Sequence, residues 1–214
     1  MYPSGNLFIP VAHGQLEAIL KDPRELPPKG VALVLHPHPL GGGTMHNKVV
    51  FRAAAALNDA GLVTLRINFR GVGQSSGAHD FGQGEVDDAD AGLAHLSEHY
   101  PGQAVTLCGF SFGARVGMEL ACDDDRVKYL ISIGTPLSKY KFDFLENCRK
   151  PLLMVHGDRD EFGDIQEVKE LAAKLGEHNP VKLVVVPDAD HFFEGHLDEL
   201  KTAITEWVSS QLTG

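Results

Sequence analysis

Short apolar runs alternate along this chain with segments in which apolar residues recur every three or four places. Residues 31–35, 62–67, 105–108, 127–133, 152–156 and 181–186 are such runs. The first is continuously apolar, the pattern of a strand covered on both faces. Between them, four sets share one helical face: Val50, Ala54 and Leu57 after Asn47; Val86, Ala89, Leu93 and Leu96 within 85–100; Ile165, Val168, Ala172 and Leu175; and Leu197, Leu200, Ile204 and Trp207. Gly61 and Gly176 supply helix stops. The segment opening near Phe112 carries Gly113, Gly117 and Ala121 four apart, which predicts a helix lying close against the sheet. Residues 6–10 and 15–20 predict a hairpin around His13-Gly14, with Pro23, Pro27 and Pro28 in its exit loop.

Alternating strands and helices predict an α/β chain, with a mainly parallel twisted sheet behind an N-terminal antiparallel hairpin and helices on both faces. No repeat, low-complexity tract or linker interrupts the pattern, so one domain over residues 1–214 is expected. Glu85, Asp87 and Asp88 open the second long helix, where they suit the positive end of its dipole and are expected to be solvated.

A formal net charge of −10 with scattered basic residues excludes a phosphate-tracking surface, so no nucleic-acid partner is expected. No apolar run approaches the roughly 20 residues needed to span a bilayer, and residues 1–10 show no secretory pattern, so no membrane role or export is expected. Three cysteines, Cys108, Cys122 and Cys148, form no C-x-x-C pair. They fit small buried or half-buried thiols in a reducing cytoplasm.

Chemistry enters at Gly109-Phe110-Ser111-Phe112-Gly113, a G-x-S-x-G pentapeptide between an apolar run and a helix. That is the context of a nucleophile elbow, a sharp strained turn whose flanks admit no side chains. Ser111 is therefore a candidate nucleophile, and a serine hydroxyl needs a base held by a third group. In parallel sheets such groups gather at the carboxyl ends of the strands. Two runs end in suitable loops, one carrying Asp158 and Asp160, the other Asp188, Asp190 and His191. Ser111, Asp160 and His191 stand in the order nucleophile, acid, base, with Asp158 as the alternative acid. Phe112 would give one oxyanion N–H; the other would come from His38 or Leu40, since Pro37 and Pro39 have none.

These motifs, with His36-Pro37-His38-Pro39-Leu40-Gly41-Gly42-Gly43-Thr44 and Asn68-Phe69-Arg70-Gly71-Val72-Gly73-Gln74-Ser75, resemble the α/β-hydrolases. The likeness is to small cap-less members similar to dienelactone hydrolases and short bacterial esterases. It covers nearly everything from Val31 onward and implies the α/β-hydrolase fold, Asp160 as the acid and the His38 backbone as the second oxyanion donor. Dienelactone hydrolases proper use a cysteine where this chain has Ser111, so the resemblance implies general ester or thioester hydrolysis through an acyl-enzyme. In this family a lid follows the strand after the nucleophile helix. Here that connection, residues 135–150, has sixteen residues, too few for a helical cap.

An open site is expected, walled by Leu40, Met45, Phe110, Phe162 and Phe192, with Phe142, Phe144 and Phe193 as further candidates. No metal or cofactor is expected: His36, His38 and His46 lack a carboxylate or thiol at ligand spacing. Gly71, Gly73 and Gly77 miss the dinucleotide spacing, and Gly41 to Gly43 lack the phosphate-loop Lys. Asp123 to Asp125 read as a solvated loop. Two other functions compete with ester hydrolysis: a different serine-triad activity, acyl transfer or peptide cleavage, and a non-catalytic binding protein that kept the fold. The sequence leaves the oligomeric state open.

Overall fold

The computed structural model describes residues 4–212; the extreme ends of the expected 1–214 span lie outside the described residues. Eight strands form one sheet in the order β1-β2-β4-β3-β5-β6-β7-β8. The hairpin pairs β1 (Gly5–Val11) with β2 (Gly14–Lys21), closing at Val11 and Gly14. β2 runs antiparallel to β4 (Leu62–Ile67), and the remaining pairs are parallel. These are β3 (Gly30–Leu35), β5 (Val105–Phe110), β6 (Val127–Ile133), β7 (Leu152–Gly157) and β8 (Val181–Val186).

The continuous apolar runs divide between two cores by strand alternation, because successive side chains point to opposite faces. Val31, Leu33 and Leu35 of β3 join Val105 and Leu107 of β5 on the face covered by α2 (Gln83–His99), α3 (Phe112–Cys122) and α4 (Ile165–Gly176). Ala32, Val34, Cys108 and Phe110 join α1 (Lys48–Asp59) and α5 (Leu197–Leu212) on the other face. The small-residue stripe works as predicted. A Cβ on Gly113 would stand 2.6 Å from the carbonyl oxygens of Leu35 and His36, and one on Gly117 would stand 2.3 Å from a Leu107 methyl. Residues 135–150 hold one short 3-10 turn, Asp143–Asn147, and no cap.

The acidic start of α2 differs from its expectation. Asp87 is solvated, but the side chains of Glu85 and Asp88 are fully buried. Asp88 accepts from the Arg70 backbone N–H (2.7 Å) and from its guanidinium (2.8 Å), anchoring the chain just beyond β4. Glu85 accepts from the backbone N–H groups of Asp80 (3.0 Å) and Gly82 (2.8 Å) and from His79 Nδ1 (2.7 Å). Each carboxylate replaces its water shell with protein donors, which is what permits a buried charge.

Candidate active site

Ser111 occupies the turn between β5 and α3 with φ 55° and ψ −118°, a conformation that L-residues avoid at a cost of about 1–3 kcal/mol. The flanking glycines make the turn possible, since a Cβ on Gly109 would lie 2.3 Å from the Gly113 carbonyl oxygen. On the strand side, the Ser111 backbone N–H donates to Ile133 O (2.9 Å). The hydroxyl is thereby fixed above the carboxyl end of the sheet.

The loops after β7 and β8 reach the same edge and are tied together. Arg159 N donates to Ala189 O (3.0 Å), and Asp188 N donates to the Asp158 carboxylate (2.7 Å). His191 Nδ1 lies 2.8 Å from Asp160 Oδ2, and its Nε2 lies 2.9 Å from Ser111 Oγ. The Asp160 side chain is fully buried and the His191 side chain 3% exposed. Phe162 N–H donates to the other Asp160 oxygen (2.8 Å), fixing the carboxylate's orientation. Asp160 therefore meets the imidazole, while Asp158 is occupied as a loop tether. Beneath Asp160, fully buried His156 donates from Nε2 to Gly163 O (2.8 Å). The strand pattern had placed that residue without showing this support.

Two backbone segments line the cavity with Ser111, the start of α3 at Phe112 and the loop at His38. Phe112 N–H opens α3, where the first N–H groups have no intrahelical partner and the helix dipole is positive. On the facing loop, Leu40 N–H donates to His38 Nδ1 (3.2 Å) within the 3-10 turn Pro39–Gly41. Leu40 is thus engaged in its own turn, which favours His38 over Leu40 as the second donor. Burial, then the neighbouring His79 ring, lowers the His38 pKa, so Nδ1 is free to accept. Burial also pushes His36 down to about 4. That ring spans Pro37 O (2.6 Å) and the Phe69 N–H (3.0 Å), bracing the loop with both nitrogens.

A cavity of about 450 Å³ beside the site and one of about 410 Å³ containing it lie at this edge. The second holds Ser111, His191, Phe112 and His38, with Phe162 and Phe192 on the imidazole side and Gly41 to Gly43 opposite. Three expected wall residues are placed elsewhere. Leu40 is 75% exposed on the outside of its turn, Met45 is 1% exposed with its backbone bound by Asn68, and Phe110 is buried under His191 with ring centroids 5.0 Å apart. Phe142 and Phe193 are core residues, and Phe144 packs beneath Arg115. Their places are taken by Asn47, whose side chain also caps α1, and by Pro136, Lys139 and Tyr140 from the connection after β6. A loop joining that strand end was the only sequence signal for these. Among the described residues no group of three His, Cys, Asp or Glu side chains is arranged to hold a metal ion, and no helix is long and apolar enough to cross a membrane.

A family model described as an alpha/beta hydrolase domain matches residues 30–209. An uncharacterized protein of Rickettsia prowazekii is 40% identical over 185 residues, covering 83% of this chain and 78% of its own. An alpha-beta serine hydrolase homologue from Coxiella burnetii superposes with a TM-score of 0.89 at 39% identity, over 96% of this chain and 99% of that one. A Xanthomonas campestris serine hydrolase without lid superposes with a TM-score of 0.90 at 34% identity, over 100% of this chain and 98% of that one.

Proposed function

Since the chain belongs to the alpha/beta hydrolase family, in its form without a lid, we propose that it hydrolyses small carboxylic esters or thioesters through an acyl-enzyme on Ser111. The observation that carries this reading is the unbroken relay from Asp160 through His191 to the Ser111 hydroxyl, at 2.8 and 2.9 Å. A protein that only bound ligands would need neither this relay nor a strained serine above unpaired N–H groups.

Asp160 holds the tautomer in which Nδ1 carries the proton, leaving Nε2 to accept the Ser111 proton as Oγ attacks the carbonyl carbon. Negative charge moves to the carbonyl oxygen, which faces Phe112 N–H and His38 N–H; one such donor contributes about 2.7–4 kcal/mol in a measured protease. His191 returns its proton to the departing alcohol or thiol oxygen or sulfur as that bond breaks. Water then gives a proton to His191, its oxygen bonds the acyl carbon, and the Ser111 ester opens with the proton restored to Oγ. Asp160 stays ionised throughout. We place this reaction in the cytoplasm, on the sequence's three cysteines without a C-x-x-C pair.

Ser111→Ala is expected to lower p-nitrophenyl acetate turnover by at least about 10⁴-fold, in line with losses from dismantled triads, with the circular dichroism spectrum unchanged. Undiminished turnover in that variant would remove Ser111 from the mechanism.

A further inference from the structure

Phe81 combines two features that do not serve stability. Its backbone has φ 52°, and its side chain is 86% exposed. Neither is slack in a loose loop, because the buried Glu85 carboxylate bonds the N–H groups of the residues on both sides, Asp80 and Gly82. The backbone is thus held on both sides, and the ring lies 5.3 Å from that of His79, which in turn lies 4.8 Å from His38 and 5.7 Å from Phe112. A strained residue kept by its surroundings in an unfavourable setting points toward function.

The neighbouring cavity gives that function a place. Its volume is about 450 Å³, and its walls include Phe81, Gln83, Val86 and Arg115. Phe112 and Tyr140 line both this cavity and the one containing Ser111, so the two adjoin across those rings. Both fall in the range of small-molecule sites. Only one arm of an ester can cross to the second. The leaving oxygen or sulfur must lie beside His191, which protonates it, and neither His191 nor Phe162 and Phe192 line the second cavity. That geometry favours the acyl arm, which carries no atom that His191 must reach, as the one that crosses. Its end meets aromatic rings rather than a free cation, because Arg115 already pairs with Glu119 and lies 4.8 Å over the Phe144 ring.

Building on the Ser111 reading, we propose that the Phe81 cavity is an acyl subsite and that the protein favours esters whose acyl chain ends in an aromatic ring. Phe81 is then a specificity-determining residue that stacks on that ring.

The test compares p-nitrophenyl 4-phenylbutanoate with p-nitrophenyl acetate, which share a leaving group, on the full-length protein and its variants. Phe81→Ala is expected to lower the kcat/KM ratio of the first to the second by about fivefold, the scale of one aromatic contact. The change should lie in the KM of the phenylbutanoate. Phe81→Gly, which accepts the positive φ, should lower the ratio equally, separating the ring from the loop's shape. Phe8→Ala, an exposed aromatic on β1, should leave the ratio alone. An unchanged ratio in both Phe81 variants overturns the subsite, as does a loss seen only when the aromatic group sits on the alcohol, tested with 4-phenylbutyl acetate. If the wild-type protein cleaves none of these esters, the Ser111 reading falls first and the subsite with it.

Discussion

Two carboxylate–histidine pairs stand near the Ser111 turn, and they are nearly the same object. In one, Asp160 meets His191 Nδ1 at 2.8 Å; in the other, Glu85 meets His79 Nδ1 at 2.7 Å, and both carboxylates are fully buried. The difference lies at the far nitrogen and at the carboxylate's other partners. His191 Nε2 faces the Ser111 hydroxyl, whereas the His79 ring lies among those of His38, Phe81 and Phe112. Asp160 accepts one backbone N–H, from Phe162, on its second oxygen; Glu85 accepts two, from Asp80 on the oxygen that meets His79 and from Gly82 on the other, and so holds a turn. The two pairs thus differ in what their imidazoles face and not in the acid–imidazole contact itself. What faces Nε2 separates a proton relay from a brace.

The sharpest way to break this contrast is to remove each imidazole. His191→Ala should cut ester turnover by on the order of 10⁴-fold or more, while His79→Ala should change it by less than about tenfold and act mainly on stability. Equal losses would mean that His79 takes part in the chemistry. The acids should divide similarly. Asp160→Asn is expected to cost about 10⁴-fold in kcat by presenting the wrong tautomer, as in a measured triad. Glu85→Gln should retain most activity but lose about 1–3 kcal/mol in urea unfolding, because the three donors are served by both carboxylate oxygens, whereas an amide has one acceptor oxygen and turns an NH₂ donor toward the rest.

The sequence displayed the first pair and hid the second for a physical reason. Ser111, Asp160 and His191 follow predicted strands, and in a parallel sheet strand ends converge, so periodicity alone brought those loops to one edge. Glu85 lies at the start of a helix, where acidic residues are ordinarily solvated. Its burial depends on the path of residues 70–82, which no periodicity describes. The cavity walls divide along the same line. Phe162 and Phe192 flank the acid and the base and fell where expected, whereas Tyr140 and Lys139 belong to a connection whose trajectory had no pattern. Phe110 could have been assigned better: it shares strand parity with Cys108, so alternation sends it to the α1 and α5 face. Choosing between Asp158 and Asp160 required the resemblance, because two residues of spacing in a loop carry no directional information.

The smallest expected effect tests the brace through protons. Burial opposes charge on Glu85, but the backbone N–H groups of Asp80, Gly82 and Glu85 itself together with the His79 ring outweigh it, and its pKa in the folded protein lies below the ordinary 4.5. The folded state thus binds fewer protons than the unfolded state in the acid range. The stability that Glu85 contributes is complete above the ordinary value and is lost as pH falls through the folded one. A plain acid titration would blur this with every other carboxylate. Subtracting Glu85→Gln removes the titrations that both proteins share. The gap between wild-type and variant urea midpoints should therefore narrow as pH falls below about 5. A gap of constant width into acid would mean that Glu85 braces the turn by shape alone, and the two pairs would then differ in charge as well as in what their imidazoles face.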